Sequence, residues 1–153
     1  MRILSFDPGV TTGIALYDDF DRQPLLVLRT WEHNSQFNLE RYWKLLHEHN
    51  PDIIVYEKFT PPAATRHRVE LFPVQVIGVL RLWVSLRQAG GMGDACLEFS
   101  HTASMAKGLW TDEKIKRLGL WVPSQGHGMD ALRHLLYHLT ITRGDKTWLT
   151  KAR

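Results

Sequence analysis

A chain of 153 residues, 44% hydrophobic and 23% charged, fits one compact domain and excludes a disordered or fibrous protein. One cysteine, Cys96, excludes an internal disulfide framework and suits a reducing cytosol; no apolar run approaches the ~20 residues of a membrane helix, and no signal peptide is expected. The net charge of +3 is unevenly spread: the first 57 residues carry five Lys/Arg against nine Asp/Glu, and the remainder fourteen against seven. An acidic half beside a basic half suits a metal-binding carboxylate cluster rimmed by phosphate-neutralising cations, although ordinary surface charge would read the same way.

In chain order, Arg2–Phe6 alternates and runs into Asp7-Pro8-Gly9, a strand followed by a turn. Thr12–Tyr17 is expected as the second arm of a hairpin, and Leu25–Thr30 as a third antiparallel strand after the polar turn residues 18–21. Between positions 37 and 49, Leu39, Tyr42, Trp43, Leu45 and Leu46 recur at helical spacing until Asn50-Pro51 stops them. Ile53-Ile54-Val55-Tyr56 has the continuous apolar character of a buried central strand, reached through a helix and so by a right-handed crossover. A loop over Lys58–Arg68 precedes a helix over Glu70–Gln88, with Pro73 tolerable only near its first turn. Ala95–Phe99 reads as a short strand. Thr102–Lys107 and Asp112–Leu118 read as short helices split by Gly108, with Thr111 as an N-cap. Pro123–Gly128 reads as a loop and Met129–Thr142 as the last helix. The expectation is a single α/β domain over residues 1–153, with a five-stranded mixed sheet (three antiparallel strands, then parallel ones) flanked by helices.

Chemistry concentrates at the ends of these elements. Asp7 ends the first strand and Glu57 ends the central one after four apolar residues, where an ionised group is costly unless something pairs with it. On the last helix His127, Asp130 and His134 share one face, at about 100° per residue, away from Leu132, Leu135, Leu136 and Leu139. Two strand-end carboxylates with a helical carboxylate and imidazole can hold two hard divalent cations, suited to in-line attack of water on a phosphodiester. Each residue also has a plainer explanation: Asp-Pro-Gly is ordinary turn chemistry, Glu57 could pair with Lys58, and Asp130 could simply answer a helix dipole. The plain readings weaken jointly, because all three acids fall where an α/β fold gathers its functional ends. His134 and His138 are spaced to share a zinc ion, but no cysteine or HExxH pattern supports one.

The run ILSFDPGVTTGIAL resembles the first hairpin of RuvC-type Holliday junction resolvases. IIVYEKF is similar to the strand that delivers that family's Glu, and HGMDALRHLLYHL to its C-terminal helix, where a His or Asp stands three residues before the last Asp. The resemblance carries over to Asp7, Glu57, His127 and Asp130 as metal-binding catalytic residues. It implies an RNase H-like fold, two Mg²⁺ ions with Mn²⁺ able to substitute, a homodimer, and symmetric nicking of four-way DNA junctions by a crossover junction endodeoxyribonuclease. TDEKIKRL resembles the segment bearing a basic residue near the scissile phosphate, which makes Lys114 the candidate and Lys107 and Lys116 its neighbours. The loop after Glu57 departs from the family pattern, as would suit a phage-encoded member. Within it Lys58, Arg66 and Arg68 are expected to meet phosphates, although a solvated loop would read the same way, and Phe59 or Phe72 to stack on an unpaired base, with a core role the preferred reading for Phe72. Dimer contact is expected on the helix with Val76, Val79, Leu80, Trp83 and Val84, residues that would equally serve the core.

Three rival readings remain. An actin-like or sugar-kinase ATPase also opens on a DPGVTTG-like hairpin, but it needs two such domains, and no nucleotide-binding GxxxxGK[ST] or GxGxxG motif occurs. A nuclease for flaps, forks or RNA precursors would use the same four ligands. A binding-only domain would have no use for so much negative charge beside DNA.

Overall fold

The computed structural model describes residues 1–19, 29–34, 39–60, 71–91 and 93–153. Five strands form one mixed sheet: β1 (Arg2–Asp7), β2 (Thr11–Asp18), β3 (Arg29–Asn34), β4 (Ile53–Glu57) and β5 (Leu97–His101). Their spatial order is β3-β2-β1-β4-β5, with β1–β2 and β2–β3 antiparallel and β1–β4 and β4–β5 parallel, the sheet expected from the sequence. The third strand runs on to Asn34, past the expected end at Thr30, and residues 25–28 of the expected Leu25–Thr30 fall outside the described residues. Its RTWEHN sequence lacks apolar alternation because β3 is an edge strand whose register is set by β2.

Strand alternation divides the core in two. One face carries Leu4, Phe6, Ile14, Leu16, Ile54 and Tyr56 against α1 (Glu40–His49) and α2 (Phe72–Gln88). Asn50, in left-handed conformation at φ 43°, ends α1 where Asn-Pro predicted a stop. Pro73 sits in the first turn of α2, where a missing amide hydrogen is harmless. Val76, Leu80, Trp83 and Val84 are buried in this core and are not available to a partner chain. The apolar side chains that α2 leaves exposed are Leu71, just before it, Val74 and Leu82.

The opposite face carries Ile3, Ala15, Tyr17, Ile53 and Val55 and is covered by α5 (Gly126–Tyr137), which continues as a π-helical turn over His138–Thr142. Trp110, Ile115 and Trp148 complete this core from α3 (Ala103–Leu109), α4 (Asp112–Arg117), α6 (Thr147–Lys151) and the link after α3. Gly108 lies inside α3 and does not split it from a neighbour. The expected loop over Pro123–Gly128 is cut short, because α5 already begins at Gly126.

Candidate active site

Alternation aims Asp7 and Glu57 at the α5 face, and the register that sets Phe6 opposite Tyr56 brings them side by side at the ends of β1 and β4. Thr12 pins the turn after Asp7, its hydroxyl donating to the Gly9 carbonyl and accepting from the Gly9 amide, both at 3.2 Å.

Opposite Asp7 in β2 stands Gly13, and opposite Gly13 in β3 stands Glu32. A Cβ on Gly13 would lie 1.9 Å from the His127 carbonyl oxygen, so the first turn of α5 rests directly on the bare backbone of β2. Glu32 caps that turn: its Oε1 accepts the His127 amide at 2.8 Å and the Gly128 amide at 3.1 Å. Two helix-end donors that would otherwise lack partners are thus satisfied by a carboxylate from the sheet edge, favourably placed for the helix dipole. Sequence reasoning missed Glu32, since the bond spans 95 residues and no local pattern signals it.

So anchored, α5 sets His127 Nδ1 2.8 Å from Asp7 Oδ2, and His134 Nε2 3.0 Å from Glu57 Oε2. Asp130 lies between them along the helix and takes Lys107 Nζ at 2.9 Å and Arg133 Nη1 at 2.5 Å. Arg133 also donates to the Trp110 carbonyl at 3.1 Å and pairs with Asp112. A cavity continues from Asp130 between Lys107, Trp110, Asp112 and Arg133. His134 does not face away from the apolar stripe as expected but is wholly buried. His138 is also buried, its ring 4.6 Å from Phe99. Neither joins a zinc site among the described residues.

Burial pushes the Asp7 carboxyl above its ordinary value against the pull of the His127 hydrogen bond, and the charges of Glu57 and Asp130 push it the same way. Three carboxylates are therefore close enough to repel one another through a partly buried space, and a cation placed among them would reverse that penalty. Among the described residues, no three donors close around one point as a preformed cage. An open set of hard oxygen donors fits Mg²⁺, which takes one or two carboxylates and fills its octahedron with water and substrate phosphate oxygens. Asp7, Glu57, Asp130 and the more exposed His127 are the residues that could hold it.

The basic candidates divide. Lys107 reaches Asp130, whereas Lys114 donates to the Leu109 carbonyl at 2.7 Å and lines a separate cavity with Arg117, Leu149 and Arg153. The expectation that Lys114 stands at the site is thereby corrected: its ammonium turns back onto the end of α3. Lys116 lies over the Trp121 ring at 4.9 Å. Lys58 is exposed and Phe59 half-buried just past Glu57, and Phe72 is half-buried at the start of α2. Arg66 and Arg68 lie outside the described residues.

Sheet order and flanking helices make an RNase H-like α/β fold, the fold of the solved structures this chain resembles. No protein-family model and no curated protein matches the sequence. Among solved structures, Thermus thermophilus RuvC in complex with a Holliday junction substrate superposes with a TM-score of 0.67 at 15% identity, over 95% of this chain and 96% of that one. The fowlpox virus Holliday junction resolvase follows at 0.55 and 15%, over 91% and 98%. The yeast mitochondrial Holliday junction resolvase gives 0.53 and 14%, over 99% and 80%. At these identities the likeness is one of fold.

Proposed function

We propose that this protein is a divalent-metal-dependent nuclease of branched DNA that resolves four-way junctions by paired, symmetric nicks. The observation that carries the reading is the convergence of Asp7, Glu57 and Asp130, with His127, at the strand ends of a fold it shares with junction resolvases. Bound among these groups, Mg²⁺ or Mn²⁺, two ions in the full site, would supply an activated water and charge to stabilise the leaving oxygen. The chain's own residues do the rest. Asp7 and Glu57 fix the cation position from rigid strand ends. His127, half-exposed at the mouth, accepts or returns a proton at its free Nε2. Lys107 stands where an incoming phosphate would draw its ammonium off Asp130, neutralising backbone charge at the cut. Lys58 and Phe59 follow directly on Glu57, and Arg66, Arg68, Lys114 and Lys116 are further candidates to neutralise neighbouring phosphates.

Two opposed cuts require two active sites, which a twofold homodimer provides, and the exposed Leu71, Val74 and Leu82 of the α2 region offer the contact. Such an enzyme would serve DNA recombination and repair in the cytosol of a bacterium or of a phage-infected host. The test is to incubate the protein and Mg²⁺ with a labelled four-way junction, a flap and a linear duplex, each with an EDTA control. Paired nicks on the junction alone are expected. Equal cutting of flaps would broaden the substrate to branched DNA in general, and no metal-dependent cutting of any substrate would overturn the reading.

A further inference from the structure

His134 is fully buried near the site, at 0% exposure, with Ala131, Leu132, Leu135 and Leu136 beside it on α5. A leucine there would pack the same core without desolvating an imidazole. Only one of its ring nitrogens is satisfied: Nε2 meets Glu57 Oε2 at 3.0 Å, while Nδ1 is buried with no partner among the described residues. A buried N–H without an acceptor is worse than a bare lone pair, since carbonyls rather than donors are the groups found under-satisfied. The proton therefore sits on Nε2 and is donated to Glu57.

The ring is also held from behind. His101, opposite Glu57 in the β4–β5 register, lies parallel to His134 with ring centroids 6.2 Å apart and planes 2° apart. The Lys58 amide donates to the His101 carbonyl at 2.8 Å, carrying the β4–β5 pairing one residue past Glu57. Glu57 thus has one oxygen committed to a rigid, dry donor, leaving Oε1 for the cleft. Asp7 differs, since its imidazole partner His127 is half-exposed.

We propose that His134 is a positioning residue for Glu57, fixing the carboxylate rotamer so that a single oxygen faces the metal position; this rests on the nuclease reading given above. Hydrogen-bonding partners of ligating carboxylates hold ligand orientation, and their loss costs about 10–100-fold in metal affinity or activity. The deciding comparison is His134→Gln with His134→Met, side chains of nearly one shape of which only Gln keeps an N–H donor. Mn²⁺ affinity is measured by calorimetry without DNA, alongside the Mg²⁺ concentration for half-maximal junction cleavage. The Met variant is expected to bind Mn²⁺ about 10–100-fold more weakly and to need correspondingly more Mg²⁺. The Gln variant should stay near wild type, with both melting at similar temperatures. Equal behaviour of the two variants in an active, metal-binding enzyme overturns the positioning role alone. A wild-type protein that neither binds Mn²⁺ nor cuts with Mg²⁺ overturns the nuclease reading and the proposal together.

Discussion

The two faces of the sheet are built from the same strands and end differently. Against α1 and α2 the apolar side chains run without interruption from Leu4 and Leu16 to Phe6, Ile14 and Tyr56. Against α5 the pattern begins alike, with Ile3, Tyr17 and Ile53, then gives way to Ser5, Asp7, Glu57, Asp130, His134, His101 and His138. Burying polar groups lowers stability unless each is paired, and several of these are not: Ser5 Oγ, His101 Nδ1 and both nitrogens of His138 lack partners among the described residues. One face supplies cohesion, and the other forgoes some of it to hold charge in a confined space.

The sharpest way to separate the faces is Asp7→Asn. Cleavage should fall below detection while DNA binding persists or strengthens, as a labelled-junction cleavage and binding assay would show. Because the folded state raises the Asp7 pKa, charged Asp7 destabilises the fold once pH rises through the ordinary 3.8 and on past the raised value. The Asn variant should therefore melt no lower than wild type at neutral pH without metal. Leu80→Ala on the opposite face should do the reverse. It should cost about 2–5 kcal/mol in denaturant unfolding, yet leave the Mg²⁺ requirement of the folded fraction unchanged. Gly13→Ala belongs to both faces of the argument: the new Cβ must push the His127 carbonyl aside, costing about 1–3 kcal/mol and most of the activity with it.

Acid should weaken the α5 face first. Burial pushes His101 and His138 down to about 4 from the ordinary 6.5, with His134 adding to the shift at His101 and the charges of His101 and Arg143 to that at His138. Their folded pKa values are depressed, so the unfolded chain binds the extra protons. The stability they contribute is complete above pH 6.5 and drains away as pH falls toward 4. Metal-free melting temperature should decline across that window, and His138→Leu should flatten the decline. The smallest effect is expected from Glu32→Ala, about 0.5–2 kcal/mol by loss of the α5 cap. It should also loosen His127, visible as a lowered junction-cleavage rate at saturating Mg²⁺.

Most of the sheet was legible in the sequence because β1, β2 and β4 are central and their apolar patterns follow from burial alone. The far end of edge strand β3 and the start of α5 were missed for one shared reason: Glu32 makes sense only against amides at 127 and 128, and Gly126-His127-Gly128 looks like a loop until those amides are capped. Asp7, Glu57, His127 and Asp130 could be picked out because each ends an element or shares a helix face. Which lysine joins them could not, since Lys107 and Lys114 lie on different short helices whose relative rotation is set by packing around Trp110 and Ile115.

The cap on α5 also decides how an anion can be received. A helix N-terminus is a ready-made cradle for phosphate, its free amides pointing outward under a partial positive charge. Here two of those amides are already answered from within the protein by Glu32. A nucleic-acid backbone arriving at this mouth meets a carboxylate where other folds offer an amide nest. At this point its reception would fall to Lys107 and to any cation held by the carboxylates, so the seating of one phosphate at the cut, rather than binding as a whole, would depend on the metal position.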